Sequence, residues 1–144
     1  MYQRILVPTD GSEITAKAID SAIRLAQALG ARIEAFTVRE PFPYSAISEM
    51  QPIPPQEFFE TQERLAQRHL DQITQACSVA QVPCEAASVE ALHPYEAIIE
   101  RAKQRGCDLI VMASHGRRGV SALLLGSETQ KLLTHTNIPV LVVR

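Results

Sequence analysis

The sequence predicts an α/β fold, a three-layer α/β/α sandwich built on a five-stranded parallel sheet of strand order 3-2-1-4-5. Short apolar runs alternate along the chain with longer stretches in which apolar residues recur at helical spacing. The run DLIVMA at 108–113 is continuously apolar after its first residue, which is typical of a parallel strand covered on both faces. This alternation favours right-handed crossovers and a helix layer on each side of the sheet. The length of 144 residues fits one domain over 1–144.

Residues typical of element ends mark where the helices begin and end. Ser12 can cap the first helix, and Gly30 stands where a helix C-terminal glycine belongs. Pro94 suits the first position of the third helix, and Gly106 ends it. Five prolines between 39 and 55 predict an irregular segment, of the kind that often acts as a lid or mobile loop. The predicted strands are 4–9, 31–38, 83–89, 108–113 and 139–143, and the other two predicted helices are 56–80 and 127–135.

Composition and charge argue against several function classes. The formal net charge of -2 offers no basis for nucleic acid or an anionic membrane as the main partner. The cysteines are odd in number and form no C-x-x-C, which argues against a disulfide framework, a zinc site or a thioredoxin-like site. We expect Cys77, Cys84 and Cys107 in or near the core as small apolar residues. The first apolar run is too short for a signal peptide or a membrane span, which predicts a cytoplasmic protein.

The polar segments that follow two of the strands form the candidate ligand site. In an open α/β sheet, ligands bind beyond the carboxyl ends of the strands where the strand order reverses, here between the first and fourth strands. The segments PTDGS at 8–12 and ASHGRRG at 113–119 follow these strands and are small, polar and glycine-containing. The second leads to a helix start at 126–129, where free N–H groups can bind an anion. A plainer reading stays open, in which Ser127 caps its helix with capping-box spacing to Gln130 and the glycines only turn the chain.

The same segments resemble a known family. Universal stress proteins that bind ATP carry G-x-x-G, nine residues and then G-[S/T] after the fourth strand. Here ASHG at 113–116 is followed by nine residues and then by Gly126 and Ser127, with Ala113 in place of the first glycine. The opening RILVPTDGSE, the strand ending in Val38, the run DLIVMASHGRRG and the close NIPVLVVR are also similar. The resemblance covers the chain outside about 40–59 and implies an adenine nucleotide alpha hydrolase-like fold.

The resemblance implies where each part of a nucleotide would lie. Adenine and ribose would lie near the ends of the first two strands, with Asp10 as a hydrogen-bond acceptor and Val38 contributing backbone groups. The phosphates would contact backbone N–H groups, two hydroxyls and an arginine. Asp10 has an alternative role as a turn residue, and each arginine as a solvated loop charge. The implied nucleotide-binding residues are Pro8, Thr9, Asp10, Val38, Ala113, Ser114, His115, Gly116, Arg117, Arg118, Gly126, Ser127, Glu128 and Thr129.

Ala113 is the main departure from the family pattern. If its position required a positive φ, alanine would cost on the order of 1 kcal/mol. If the position is extended, the change adds only a methyl group near the phosphates. Because Ala113 ends a predicted strand, we expect the extended conformation.

Three functions fit these observations. The first is an ATP-binding regulatory protein of the stress response, the second a slow ATP hydrolase, and the third a dimeric scaffold that has lost nucleotide binding. The chain has no G-K-[S/T] P-loop and no serine–histidine–acid arrangement, so we assign no catalytic residue and no metal site. Any Mg²⁺ would be held by the phosphates, because the loop offers few carboxylates. His69, His93 and His135 lie in different elements and are expected at the surface or at helix ends.

The last predicted strand suggests a partner. Residues 139–143 are apolar, and an exposed edge strand of this kind invites pairing with another chain. Members of the resembled family commonly dimerise through this strand. We therefore expect a homodimer.

Overall fold

The computed structural model describes residues 1–43, 55–115 and 125–144. Strands and helices alternate in these ranges, and the bounds of the five strands, α2 and α4 lie within one residue of those predicted. Most of the proline-rich segment, residues 44–54, lies outside the described residues. The strands are β1 (Arg4–Pro8), β2 (Arg32–Arg39), β3 (Cys84–Glu90), β4 (Leu109–Ala113) and β5 (Val140–Val143). The helices are α1 (Glu13–Leu29), α2 (Pro55–Val79), α3 (Pro94–Gln104) and α4 (Ser127–His135).

The strands form one parallel sheet in the order β3-β2-β1-β4-β5. This confirms the predicted order. β1 lies at the centre, where Ile5 aligns with Ile33 of β2 and with Leu109 of β4. The order reverses between β1 and β4, so the carboxyl ends of these two strands lie side by side.

Each face of the sheet has its own apolar core. The α1 and α2 side chains pack on one face, and those of α3 and α4 pack on the other. Alternation along the strands divides the residues between the two cores, so that Val7 faces α1 and Leu6 faces α3. Fully buried side chains at the centre include Ile5, Leu6, Ile33, Phe36, Ile73, Ile110 and Leu132.

A buried carboxylate ties α3 to the sheet. Glu34 of β2 is 1% exposed and accepts hydrogen bonds from Arg101 Nε at 3.0 Å and from Arg105 Nε at 3.3 Å. Arg105 also pairs with Glu85 of β3. A buried charge is tolerated only when it is paired and hydrogen bonded, which both arginines provide here. The pairing holds α3 against β2 and β3.

The Asp108 carboxylate joins β1 to β4 at the amino ends of these strands. It accepts the backbone N–H of Gln3 at 2.9 Å and that of Arg4 at 3.0 Å. These bonds join the amino end of β1 to the start of β4. The two strands are therefore fixed at the end remote from the predicted ligand crevice.

The helix ends follow the sequence signals with two exceptions. Gly30 is left-handed with φ 67° at the end of α1, and Pro94 opens α3, as predicted. Ser12 is the residue before α1, but its hydroxyl meets the Thr15 hydroxyl at 2.7 Å and makes no capping bond. The alternative in which Ser127 caps α4 does not hold, because Gly126 is the residue before α4 and Gln130 Nε2 donates to Leu125 O at 2.9 Å. Within the described ranges, no helix is both long enough and apolar enough to cross a membrane.

Candidate functional site

The candidate site lies at the carboxyl ends of β1 and β4. We call residues 9–12, which follow β1, the β1 lip. We call residues 113–115 together with Gly126 the β4 lip. Parallel pairing of β1 with β4 brings the two lips to the same edge of the sheet. Each predicted site residue belongs to a lip or borders one, except those that lie outside the described residues.

Side-chain hydrogen bonds hold the β1 lip in shape. The Asp10 Oδ1 atom accepts from the Ser12 backbone N–H at 3.0 Å and from the Thr15 hydroxyl at 2.9 Å. The Thr9 hydroxyl accepts from the Gly11 backbone N–H at 3.1 Å. Asp10 is partly buried and Thr9 is 7% exposed. The lip is therefore a preformed turn, and Asp10 has the turn role that the sequence left open.

The end of β2 supports the β1 lip from the other side. Thr9 N donates to Phe36 O at 2.9 Å, and the buried Thr37 hydroxyl donates to Thr9 O at 2.8 Å. The alignment of β1 with β2 ends at Pro8 opposite Phe36, so Val38 lies two residues beyond it. The Val38 side chain packs in the core on the α3 face. The predicted part of its backbone groups in nucleotide binding stays a prediction.

His69 of α2 lies against Gly11, an arrangement that sequence reasoning missed. Gly11 has φ 79°, and a Cβ atom built there would lie 2.3 Å from His69 Nε2 and 2.5 Å from Cδ2. The position therefore favours glycine over other residues for two reasons. Its φ is positive, and the imidazole of His69 occupies the space that a Cβ atom would need. His69 is partly buried rather than at the surface. Its spacing from Ala66 and Ile73 on the inner face of α2 is the signal that places it inward.

Backbone hydrogen bonds hold the β4 lip. Ser114 N donates to Val143 O at 2.8 Å, and Gly126 N donates to Ser114 O at 2.7 Å. Ser114 is 5% exposed, and its hydroxyl lies 3.2 Å from His115 Nδ1. A Cβ atom on Gly126 would lie 3.0 Å from the His115 Cα atom. Gly126 thus lets the start of α4 approach the end of β4 closely.

Ala113 ends β4 in an extended conformation, as expected. Its side chain is 8% exposed and belongs to the apolar core on the α1 face. The methyl group therefore packs in the core, and the Ala113 carbonyl accepts from the Thr129 hydroxyl at 3.1 Å. Thr129 is 2% exposed, so this bond anchors α4 to β4 in a buried setting.

The first turn of α4 points backbone N–H groups toward the β4 lip. The hydrogen-bond ladder of the helix begins with Gln130 N donating to Gly126 O at 3.0 Å. The N–H groups of 127–129 therefore have no partner within the helix. Ser127 is exposed as the first helical residue. N–H groups that have no partner within the helix and the positive end of the helix dipole together favour an anion at this position.

Glu128 makes a contact that the sequence did not reveal. Its Oε2 atom accepts from the backbone N–H of Tyr95 at 3.0 Å, in the first turn of α3. Lys131 Nζ lies 3.6 Å from the other carboxylate oxygen. The carboxylate thus supplies an acceptor for an unpaired donor of α3 and links the two helices. Its predicted part in nucleotide binding stays a prediction.

Three predicted site residues, Gly116, Arg117 and Arg118, lie outside the described residues. The described part of the site therefore offers carboxylate, hydroxyl and backbone N–H groups. Within residues 1–43, 55–115 and 125–144, there is no group of three or more histidine, cysteine or carboxylate side chains that could hold a metal ion. The arrangement suits a ligand with hydrogen-bonding rings and an anionic end.

Comparisons with known proteins agree with the fold. A profile of the Universal stress protein family matches residues 1–144. A universal stress protein of Thermus aquaticus is 35% identical over 144 residues, which cover 100% of both chains. The solved structure of MJ0577, a universal stress protein of Methanocaldococcus jannaschii, has a TM-score of 0.84 at 26% identity and covers 99% of this chain and 96% of its own.

Two further structures of the same fold contain adenine nucleotides. A universal stress protein in complex with cAMP has a TM-score of 0.73 at 24% identity and covers 99% of this chain and 97% of its own. An Arabidopsis thaliana family member with AMP bound has a TM-score of 0.70 at 17% identity and covers 98% of this chain and 90% of its own. The profile match over every residue and the full-length relatives lead to one conclusion: this chain belongs to the universal stress protein family.

Proposed function

We propose that this protein is an ATP-binding regulatory protein of the stress response, acting in the cytoplasm as one domain over 1–144. The observation that carries the proposal is the meeting of the two lips with the first turn of α4 at the strand-order reversal. Adenine and ribose lie along the β1 lip and the end of β2. The phosphates lie along the β4 lip and the N–H groups of 127–129.

The geometry of Asp10 supports the adenosine end of this assignment. Two donors hold its Oδ1 atom at 3.0 and 2.9 Å, so the carboxylate is oriented before a ligand arrives. An oriented acceptor loses little side-chain entropy on binding. Ribose hydroxyls and the adenine amino group are donors of the type that a carboxylate binds.

The first turn of α4 supports the phosphate end. Its N–H groups, which have no partner within the helix, need no lysine side chain and no metal ion to attract an anion. The AMP- and cAMP-containing structures share this fold, which is consistent with an adenine nucleotide. ATP is our choice among adenine nucleotides because the retained Gly126–Ser127 pair matches the ATP-binding signature. Mg²⁺ would then bind through the phosphates.

Calorimetric titration with ATP, with and without magnesium, tests this proposal. We expect saturable binding and a loss of at least about tenfold in affinity for Ser127→Asp, because a carboxylate at the first helical position repels phosphate. Gly116→Asp tests the remainder of the loop in the same way. Ser78→Asp is the matched control, since it adds the same charge at an exposed serine of α2 and should leave the affinity unchanged.

The same titration separates the alternatives. Competition with AMP and cAMP ranks the adenine nucleotides. Phosphate release near the buffer blank from the ATP-bound protein would eliminate the hydrolase. Absence of binding at millimolar ATP in a folded protein would overturn our proposal and favour the scaffold.

We also propose that the protein is a homodimer joined through β5. β5 is the last strand of the sheet order, and Leu141 on it is 42% exposed. An exposed apolar edge strand favours pairing with a second copy. Leu141→Lys should yield monomers in sedimentation, whereas Leu133→Lys, at a leucine of α4 that is 38% exposed, should not. A Leu141→Lys protein that sediments as a dimer would contradict this interface.

A further inference from the structure

Strand β3 forms one edge of the sheet and is less buried than the strands at the centre. It is the first strand in the sheet order and pairs, among the described residues, only with β2. Every residue of β3 is exposed or partly exposed, whereas every residue of β4 is buried. Ala87 and Val89 pack against the core on the α3 face but stay partly exposed. β3 therefore presents an open edge and part of one face at the surface.

The hydrogen bonds between β2 and β3 show which backbone groups lie at this edge. Ile33 N donates to Pro83 O at 2.8 Å, and Ala91 N donates to Arg39 O at 3.2 Å. In a parallel ladder, alternate residues direct their N–H and C=O groups to the same neighbouring strand, so the odd-numbered residues of β3 face β2. The residues whose backbone groups point to the open edge are Ala86, Ser88 and Glu90.

A groove lies between the end of β3 and α3, and we call it the α3 groove. Its volume is about 350 Å³. Phe36 of β2 is fully buried at its floor, and Val89 of β3 and Ala97 of α3 also line it. Leu92 follows β3, lines the same groove and is 73% exposed. An apolar side chain placed in the α3 groove would therefore meet apolar surface, next to the strand whose edge is open.

The rim of the α3 groove carries negative charge. Glu90, Glu96 and Glu100 line the groove and are exposed. The Glu96 carboxylate accepts from the Tyr95 hydroxyl at 3.1 Å, and the Glu100 carboxylate accepts from Gln104 Nε2 at 3.2 Å. Both donors are neutral, so these contacts do not compensate the charges. Among the described residues, no ion pair involves any of the three glutamates.

Arg101 also lines the α3 groove, but its charge is already paired. Its Nε donates to the buried carboxylate of Glu34 at 3.0 Å, and its guanidinium lies 6.0 Å from the centre of the Phe36 ring. The three rim carboxylates therefore keep their charge, in a chain whose formal net charge is -2. A groove lined by charge of one sign attracts groups of the opposite sign.

We propose that the open edge of β3 and the α3 groove form a docking surface for an extended basic segment of a partner protein. The segment lies beside β3 as an added strand and exchanges main-chain hydrogen bonds with residues 86–90. It places one apolar side chain in the α3 groove. A lysine or arginine two positions away lies on the same side of the added strand, because side chains alternate, and faces Glu96 and Glu100.

The charge of this surface favours a basic partner over a second copy of the chain. Two β3 edges laid side by side would bring the acidic rims of two grooves together, and like charges close to each other destabilise strand pairing. The surface is also separate from the nucleotide crevice. The two lips follow β1 and β4, whereas β3 lies beyond β2, so docking here is tested independently of the function proposed above.

The experiment titrates the isotope-labelled protein with a short peptide that has a central leucine, a lysine two positions to either side and threonine elsewhere. Nuclear magnetic resonance spectra report which backbone amides shift. We expect saturable shifts at residues 86–92 and 96–104, and an affinity that falls as salt is added. A matched peptide with glutamate in place of lysine should not bind. N-methylation of the basic peptide on alternate amides should cost at least about tenfold in affinity where it removes the donors that face β3.

Paired substitutions test the charge of the rim. Glu96→Gln together with Glu100→Gln should weaken binding of the basic peptide about two- to fivefold, because each removes one exposed charge pair. The matched control is Glu60→Gln together with Glu63→Gln, which removes two exposed carboxylates from α2 and should leave the affinity unchanged.

Leu92→Ser tests the apolar contact. It should weaken binding, whereas Val79→Ser, at a valine that is 82% exposed, should not. Equal binding of the basic and acidic peptides, shifts confined to other parts of the protein, or no binding by the folded protein would overturn the proposal. Shifts at β3 that depend on protein concentration in the absence of peptide would also overturn it, because they would assign the edge to a second copy.

Discussion

The two lips of the crevice are held in shape by different kinds of hydrogen bond. The β1 lip is held by a carboxylate and hydroxyls, in which Asp10 accepts from Ser12 and Thr15. The β4 lip is held by backbone bonds, from Ser114 to Val143 and from Gly126 to Ser114. The β1 lip follows the central strand directly, and hydrogen bonds among residues 9–15 hold its turn. The second is fastened by β5 and α4, which arrive much later in the chain.

The difference matters for any test of the site. In the β1 lip, residues proposed to contact adenosine also hold the turn, so a substitution there changes shape and chemistry together. In the β4 lip, backbone hydrogen bonds hold the structure. The exposed side chain of Ser127, the first residue of α4 beside this lip, can therefore be exchanged with less effect on the fold.

The largest effect that we expect on the β1 lip comes from Gly11→Ala. The positive φ and the contact with His69 should together lower the free energy of unfolding by about 2–3 kcal/mol. Chemical denaturation measures this change. In a double-mutant cycle, His69→Ala should recover the part caused by the contact and leave about 1 kcal/mol from the backbone. Equal losses in both backgrounds would show that His69 does not shape the lip.

The corresponding change beside the β4 lip is Thr129→Val, in the first turn of α4. It removes the hydroxyl that donates to the Ala113 carbonyl in a buried setting, at a cost of about 1–2 kcal/mol in the free energy of unfolding. Thr134→Val on the exposed side of α4 also removes a hydrogen bond, to Gln130 O at 3.1 Å, and should cost less than about 0.5 kcal/mol. Similar losses for the two variants would refute an anchoring role for Thr129.

The smallest effect should come from Ala113→Gly, which restores the family glycine. Because the methyl group packs in the core and the backbone is extended, glycine should lower the free energy of unfolding by about 1 kcal/mol. Nucleotide affinity should stay unchanged in calorimetry. A gain of tenfold or more in affinity would mean that the methyl group does restrict the ligand.

The helices and strands could be predicted from the sequence because each shows a characteristic pattern of apolar residues. Apolar spacing predicted α1 and α2, and the continuous run LIVMA predicted β4 as a strand buried on both faces. Local signals at helix ends were less decisive. Ser127 has the spacing of a capping box, yet Gly126 is the residue before α4, where a Cβ atom would lie only 3.0 Å from the His115 Cα atom.

By itself, the sequence determined the element order and the glycine–serine spacing that marks the family, because these are properties of residues close together in the chain. The strand order, which pairs Ile5 with Leu109, followed from the general rules for alternating strands and helices and not from any local signal. Only the tertiary structure decided that His69 lies on Gly11, that Glu128 receives the Tyr95 N–H, and that the Ala113 methyl group faces the core. The His69 and Glu128 contacts join residues more than 30 positions apart. They depend on how α2 and α4 dock on the sheet, and a helical period indicates which face is buried but not what that face will touch.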